Sequence, residues 1–221
     1  MKEQQWLDKV EQLSSTWWGR CELVVPTTPK YQISRMIFDA VWQFNKWDLK
    51  ILREIPQDNR DRIVFEAHQR LKIEGILRGF WIEECATDDQ LENLFRIDKS
   101  STNIDKLKLV TRRDFPKIHK VISDLKLKEV PYVNKRREGF IQLYEEANGA
   151  AHMSVRLILS SYIEREVWSE LRSCVFQIGI CALRISRISL DESYVSTIET
   201  ELKEALTKLD SQIQELPDGF V

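Results

Sequence analysis

The chain has 221 residues, 43% of them hydrophobic, which is enough for a sizeable core in one large domain or in one domain with appendages. Its formal net charge is −2, and no apolar run approaches the length of about 18 residues that would indicate a membrane-spanning helix. The N-terminus lacks the charged-then-apolar pattern of a signal peptide, so we expect a cytoplasmic protein without membrane association.

The cysteine spacing and the absence of known catalytic motifs exclude several kinds of site. The four cysteines form no CxxC pair, and Cys174 and Cys181 lie seven residues apart on one helical face, as small core residues do. We expect neither zinc nor disulfides. The sequence has no glycine-rich phosphate loop, GxSxG, HExxH or acidic run with metal spacing, which disfavours nucleotide-binding, serine-hydrolase and zinc-protease functions and predicts no cofactor.

The first third of the chain predicts two helices. A short amphipathic helix spans about 2–13, Trp17 and Trp18 follow it, and residues 20–29 are expected to be extended. Thr28 followed by Pro29 is a good helix start, with proline at the first helical position. From there the apolar positions keep a spacing of three or four residues to about Glu54, which predicts a long helix.

The stretch 60–85 is predicted to be the central helix, because apolar residues cover two opposite sides of it. Ala67, Leu71 and Trp81 belong to one of these apolar arcs. The other face carries Gly75 and Gly79 beside His68, a flat strip where a second helix can approach closely; His68 itself is expected to be a packing histidine. A tight turn at 56–58 makes this helix and the preceding one antiparallel neighbours.

The second half of the chain is also predicted to be helical. Thr87 and Gln90 match a capping box that starts a short helix to Phe95. Residues 100–103 are a linker, two short helices flank Pro116, and 126–137 is a surface loop. Residues 140–186 are largely helical, with interruptions considered at 148–149 and near Gly179, and an amphipathic helix spans about 191–216.

These elements predict an all-α fold, a multi-helix bundle around the central helix at about 57–85, paired with long antiparallel helices. We divide the chain into an N-terminal helix and arm (1–28), a helical core (29–190) with a basic segment at 103–137, and a C-terminal amphipathic helix (191–221).

Two polar lines interrupt the apolar faces. Arg70, Glu74 and Arg78 are each one turn apart within an apolar arc of the central helix, where charges must pair. Asn148, His152 and Arg156 repeat this pattern further along the chain. If the two lines meet, a carboxylate beside His152 would suit it for general acid–base chemistry; the alternative is a structural network that fixes helix register.

The basic segment 103–137 holds 11 Lys and Arg against 4 Asp and Glu, so the rest of the chain totals −9. This segment could contact nucleic acid or a partner protein, and a solvated basic face is the alternative. The candidate phosphate-binding residues are Arg112, Arg113, Lys117, His119, Lys120, Lys135, Arg136 and Arg137. The seven tryptophans are expected mostly in the core, with Trp17 and Trp18 also considered as a base-stacking surface.

The sequence Asn148-Gly-Ala-Ala-His152 is similar to the polar-x-x-x-His half of the Arg-polar-x-x-x-His signature of the HEPN superfamily. The segments Arg70–Glu74, Arg78–Trp81 and Glu84–Asp88 also resemble uncharacterised bacterial helical proteins. Together the likeness covers roughly 33–163. It implies a compact helical domain, a homodimer with two sites facing a shared cleft, and a role in a toxin–antitoxin or phage-defence system, with a cognate partner protein.

The chain departs from the signature at one position, because Ala147 stands where the family has arginine. Arg156 or Arg70 is a candidate substitute for it; otherwise the site is inactive and the chain is a degenerate relative of the family. A looser match runs from Arg113 to His119. The resemblance implies metal-free RNA cleavage in which His152 is the general base, Asn148 orients and an arginine stabilises the phosphorane. The alternative is a non-catalytic helical scaffold that binds a partner protein or nucleic acid.

Overall fold

The computed structural model describes residues 3–24, 28–55, 62–96, 110–111, 115–127, 139–142, 144–145, 164–188 and 192–215. The fold is all-α, which confirms the predicted class. In chain order the helices are α1 (Glu3–Cys21), α2 (Pro29–Glu54), α3 (Arg62–Glu84), α4 (Asp88–Leu94), α5 (Ile118–Leu127), α6 (Glu164–Ile188) and α7 (Glu192–Glu215), with a short helical stretch at 139–142 and 144–145. None of the helices in these residues is long and apolar enough to cross a membrane.

Helices α2 and α3 form the predicted antiparallel hairpin. Thr28 caps α2, where its Oγ1 accepts a hydrogen bond of 3.3 Å from the Tyr31 N–H, and Pro29 is the first helical residue. The glycine strip of α3 lies directly against α2. A Cβ on Gly75 would lie 2.6 Å from Val41 Cγ2, and one on Gly79 would lie 2.6 Å from Phe38 Cζ. The two glycines therefore let the helices approach more closely than alanine would allow.

The buried surface of α3 differs in part from the predicted arc. Phe80 and Trp81 are buried as expected. Ala67 and Leu71, predicted inside, are exposed, and Lys72 is fully buried instead. The reason lies on α2, which supplies an acidic partner for Lys72 at this level of the bundle.

Helix α1 is longer than predicted, because it continues through Trp17 and Trp18 to Cys21. The Trp17 indole donates a hydrogen bond of 2.6 Å to Glu201 on α7, and Trp18 stacks on Trp42 of α2. The expectation of an extended chain from residue 20 is therefore wrong at its start, since these distant contacts hold the last turn in the helix. Both tryptophans are buried and so are not a base-stacking surface.

Helix α4 begins with the predicted capping box. The Thr87 N–H donates to Gln90 Oε1 at 2.9 Å, and the Gln90 N–H donates to Thr87 Oγ1 at 3.3 Å. After α4, the two-residue strands β1 (Phe95–Arg96) and β2 (Val110–Thr111) pair antiparallel. Val110 and Thr111 are thus not in a helix before Pro116, in keeping with the strand preference of β-branched residues.

Helices α6 and α7 pack against each other, and α6 also contacts α1 and α2. Helix α6 runs without interruption through Gly179, contrary to the break that its glycine suggested. A Cβ there would lie 2.6 Å from Leu202 Cδ1, so Gly179 serves close packing against α7. The apolar stripe of α7 faces inward, with Ile198, Leu202 and Leu209 buried as predicted.

Candidate functional site

The predicted catalytic residues divide between the two parts of the chain. Asn148, His152 and Arg156 lie outside the described residues. Arg70, Glu74 and Arg78 lie on α3, and all three are half-buried.

On α3, Glu74 pairs with one arginine. Arg78 donates to Glu74 Oε1 through Nε at 3.1 Å and Nη2 at 2.6 Å, since helical side chains lean toward the N-terminus and reach the residue one turn back. Arg78 Nη1 also donates to the Pro116 carbonyl at 3.3 Å, and its guanidinium lies 4.9 Å from the Phe115 ring centroid. Arg70 is not within ion-pair distance of Glu74, so the expected three-residue ladder is a pair that anchors the segment before α5.

A buried charge centre lies between α2 and α3. The Asp48 carboxylate accepts a hydrogen bond from Lys72 Nζ, and both side chains are fully buried. The other Asp48 oxygen lies 2.5 Å from His68 Nδ1, and the His68 ring packs against Phe44 at 5.5 Å between centroids. His68 is thus a partnered packing histidine, as expected, although its side chain keeps 23% of its surface exposed.

Electrostatics hold Lys72 in its charged form. Burial lowers the pKa of Lys72, but the nearby carboxylates of Asp48 and Glu170, and the hydrogen bond to Asp48, outweigh burial and raise it above its ordinary value. Burial also raises the pKa of Cys174 to about 12 and that of Cys21 to about 11. These thiols are protonated at neutral pH and are poorly suited to nucleophilic chemistry.

The sequence analysis did not single out Lys72 or Asp48. One signal was present on α2, where Asn45 and Asp48 occupy positions between Val41 and Leu52 that the apolar spacing assigns to the core. Two polar residues on a buried stripe require partners on the facing helix. The partner of Asp48 could not be chosen from the pattern, because α3 offers several cations.

A second buried cluster joins α3 to α6. Arg184 pairs with Glu83 and, through Nη2 at 2.8 Å, with Glu84, and its guanidinium lies 4.7 Å from the Phe80 ring centroid. One guanidinium thus faces two carboxylates. Burial raises the pKa of Glu83, although Arg184 and a hydrogen bond from Ser34 oppose that effect.

The described Lys and His side chains of the basic segment lie on the outer surface of α5 and on the residue before it. Lys117, His119, Lys120 and Lys126 are exposed. Lys120 Nζ donates to Asp124 at 2.5 Å. Arg112, Arg113, Lys135, Arg136 and Arg137 lie outside the described residues. No group of three or more His, Cys, Asp or Glu side chains in the described part of the chain is arranged to hold a metal ion.

The surface also has a groove between α1 and α2, which the sequence analysis did not predict. Its volume is about 680 Å³, and Trp42, Trp47, Lys46 and Lys50 are among its lining residues. Trp47 is 59% exposed, unlike the other six tryptophans. Gln43 and Lys50 lie one turn from Trp47 on the same side of α2, so the helical spacing does not assign Trp47 to the core.

Together these features define an all-helical bundle that buries two charge clusters and exposes a basic helix and an aromatic groove. No protein-family model, curated protein or solved structure matches the chain.

Proposed function

We propose that the chain is a HEPN-like RNA-binding protein of a bacterial toxin–antitoxin or phage-defence system, and that it cleaves RNA without a metal ion. The observation that supports RNA binding is the exposed surface of α5 and of the residue before it, where Lys117, His119 and Lys126 are exposed within a segment of net charge +7. Such clustering of cations is the electrostatic signature of phosphate contact.

In this proposal His152 removes the proton of the ribose 2′-hydroxyl and Asn148 orients it, while Arg156 or Arg70 stabilises the charge on the phosphorane. These roles come from the resemblance to the HEPN signature. Glu74 and Arg78 are also candidate site residues, and the hydrogen bonds from Arg78 to Glu74 and to the Pro116 carbonyl would hold both in place beside the site. A homodimer would bring two such sites to one cleft.

The test of cleavage uses total cellular RNA and the purified protein, with and without EDTA, beside the His152→Ala variant. We expect cleavage that EDTA does not prevent and that the variant loses. Cleavage retained by a folded His152→Ala variant would contradict the assignment of the base.

RNA binding is tested separately, by the affinity for a labelled oligonucleotide at several salt concentrations. Lys117→Glu/Lys126→Glu should weaken binding and reduce its salt dependence, by a slope of about 0.7 for each phosphate that the variant no longer neutralises. The matched control is Lys203→Glu/Lys208→Glu, which reverses two exposed lysines on α7. Equal effects of the two pairs would show that α5 is not the contact surface.

A second candidate is a non-catalytic helical scaffold. The observation that favours it is the Glu74–Arg78 pair, since its hydrogen bonds serve the packing of Phe115 and Pro116 against α3. Clean, folded protein that neither cleaves nor binds RNA would favour this scaffold, and isolation of its partner protein would follow.

A further inference from the structure

The groove between α1 and α2 has the size and lining of a ligand site. Its volume of about 680 Å³ lies within the range of roughly 300–1,000 Å³ found for small-molecule pockets. Ser14, Ser15 and Gln43 supply polar groups along it, and Trp18, Trp42 and Trp47 supply aromatic surface.

The three tryptophans of the groove differ in exposure. Trp42 stacks on Trp18 with 4.2 Å between centroids and 8° between planes, and both are buried. Trp47 is mostly exposed, so its indole offers a face to a ligand. The Lys46 ammonium lies 4.7 Å from the Trp42 ring centroid, and the Lys50 ammonium lies 5.5 Å from that of Trp47.

The cations that line the groove differ in how firmly carboxylates already hold them. Arg53 is held by Asp8 at 2.8 Å and by Glu11 at 2.9 Å. Lys50 lies 3.9 Å from Glu54 in a pair whose two side chains are more than half exposed, and such pairs are weak. No carboxylate of the described residues lies within ion-pair distance of Lys46. The Lys46 ammonium beside Trp42 and the weakly paired Lys50 ammonium beside Trp47 are therefore available to an anion.

We propose that this groove binds a nucleobase together with its phosphate, as one unit of a single-stranded RNA. The base stacks on Trp47, and Lys46 and Lys50 contact the phosphate. The carboxylates of Glu11, Glu22 and Glu54 also line the groove, where they can accept hydrogen bonds from the amino groups of a base. The inference rests on the proposed RNA binding and gives it a second contact, on the α1–α2 surface.

A single strand is the expected occupant because its bases are free to stack on an aromatic side chain, whereas the bases of a duplex are already stacked. An isolated mononucleotide carries the same chemistry. The experiment must therefore separate the strand from the free nucleotide.

The test measures the affinity of a labelled single-stranded RNA 12-mer by fluorescence anisotropy, with the same sequence as a duplex and unlabelled AMP as competitors. We expect Trp47→Ala to weaken binding of the single strand about fivefold or more, Trp47→Phe to keep most of it, and Lys46→Gln/Lys50→Gln to weaken it as well. Lys208→Gln is the matched control, because Lys208 also sits one turn from a glutamate on an exposed helix face.

The outcomes separate the two proposals. If Trp47→Ala leaves RNA binding unchanged, the groove is not an RNA contact, while the proposed function stands. A duplex that competes as well as the single strand overturns stacking on Trp47, and AMP that competes as well as the 12-mer overturns the strand as the occupant. If the protein binds no RNA, the proposed function fails, and so does the single strand as the occupant of the groove. A separate AMP titration by calorimetry then tests whether the groove binds a base with its phosphate, and the absence of AMP binding overturns that as well.

Discussion

The Lys72 ammonium is fully buried, so its charge depends on Asp48. Lys72→Met should destabilise the fold by about 3–5 kcal/mol, because it leaves the Asp48 carboxylate buried without its cation. Urea unfolding of the variant and the wild type at pH 7 measures this difference.

The double variant Asp48→Asn/Lys72→Met is the control for this charge effect. The asparagine keeps an oxygen that can accept a hydrogen bond from His68, and no unpaired charge remains. We therefore expect the double variant to be more stable than Lys72→Met alone. Additive losses from the two single changes would show that the pair is not coupled.

Glu83 gives the stability of the fold a dependence on pH. Burial raises its pKa above the ordinary value of 4.5, so the folded protein binds this proton more tightly than the unfolded chain does. The resulting stabilisation is complete below pH 4.5 and is lost as the pH rises through the raised value. Because Arg184 also pairs with Glu84, we expect Arg184 to keep a partner when Glu83 is replaced.

Relative to Glu83→Gln, the wild type should therefore lose free energy of unfolding as the pH rises from about 4 to about 8. Urea unfolding across this range measures the difference between the two proteins. Thr207→Ala, at an exposed and uncharged position on α7, should show no such trend. A constant difference for Glu83→Gln would mean that Glu83 has the same pKa in both states.

At the scale of elements, the contact between α2 and α3 depends on the glycine strip. Gly79→Ala places a Cβ 2.6 Å from the buried Phe38 ring, and the overpacking should cost about 1–3 kcal/mol. Gly19→Ala on α1 is the matched control, since a Cβ there meets nothing within 4 Å. The control should be neutral or slightly stabilising, because alanine is the better helix former. Thermal unfolding compares them, and a Gly79→Ala protein as stable as the control would show that the helices are not in tight contact.

Element boundaries were predictable where local chemistry sets them. Thr28, Pro29 and the Thr87–Gln90 box start their helices through contacts within four residues, which the sequence displays. The end of α1 was not predictable in this way. Tyr194 donates a hydrogen bond of 3.0 Å to the Trp17 carbonyl from a position 177 residues away, and no local pattern indicates such a contact.

At the scale of the whole molecule, some charged side chains lie between helices and others lie on the surface. The buried pairs of Lys72 and Arg184 hold α3 to α2 and α6, while the cations of α5 remain at the surface. A protein built in this way can change its surface charge without loss of its core. The basic surface and the groove can accordingly be tested by substitutions that leave the fold intact.

The candidate site was predictable to a similar extent. The spacing of Glu74 and Arg78 predicted their pairing, because residues one turn apart on a helix are neighbours. The sequence could not show that Arg78 also contacts Phe115 and Pro116, 37 and 38 residues further on. That contact lets Arg78 hold the segment before α5 against α3, and its catalytic role stays a prediction.

The sequence by itself determined the all-α class, most helix positions and the glycine strip, because periodicity, capping and small residues act over a few residues. Only the tertiary structure decided which side of α3 is buried, which cation neutralises Asp48, and that Trp47 lies exposed in a groove. These outcomes depend on the helix that faces each residue, and a helical pattern states which residues share a face without stating what lies opposite.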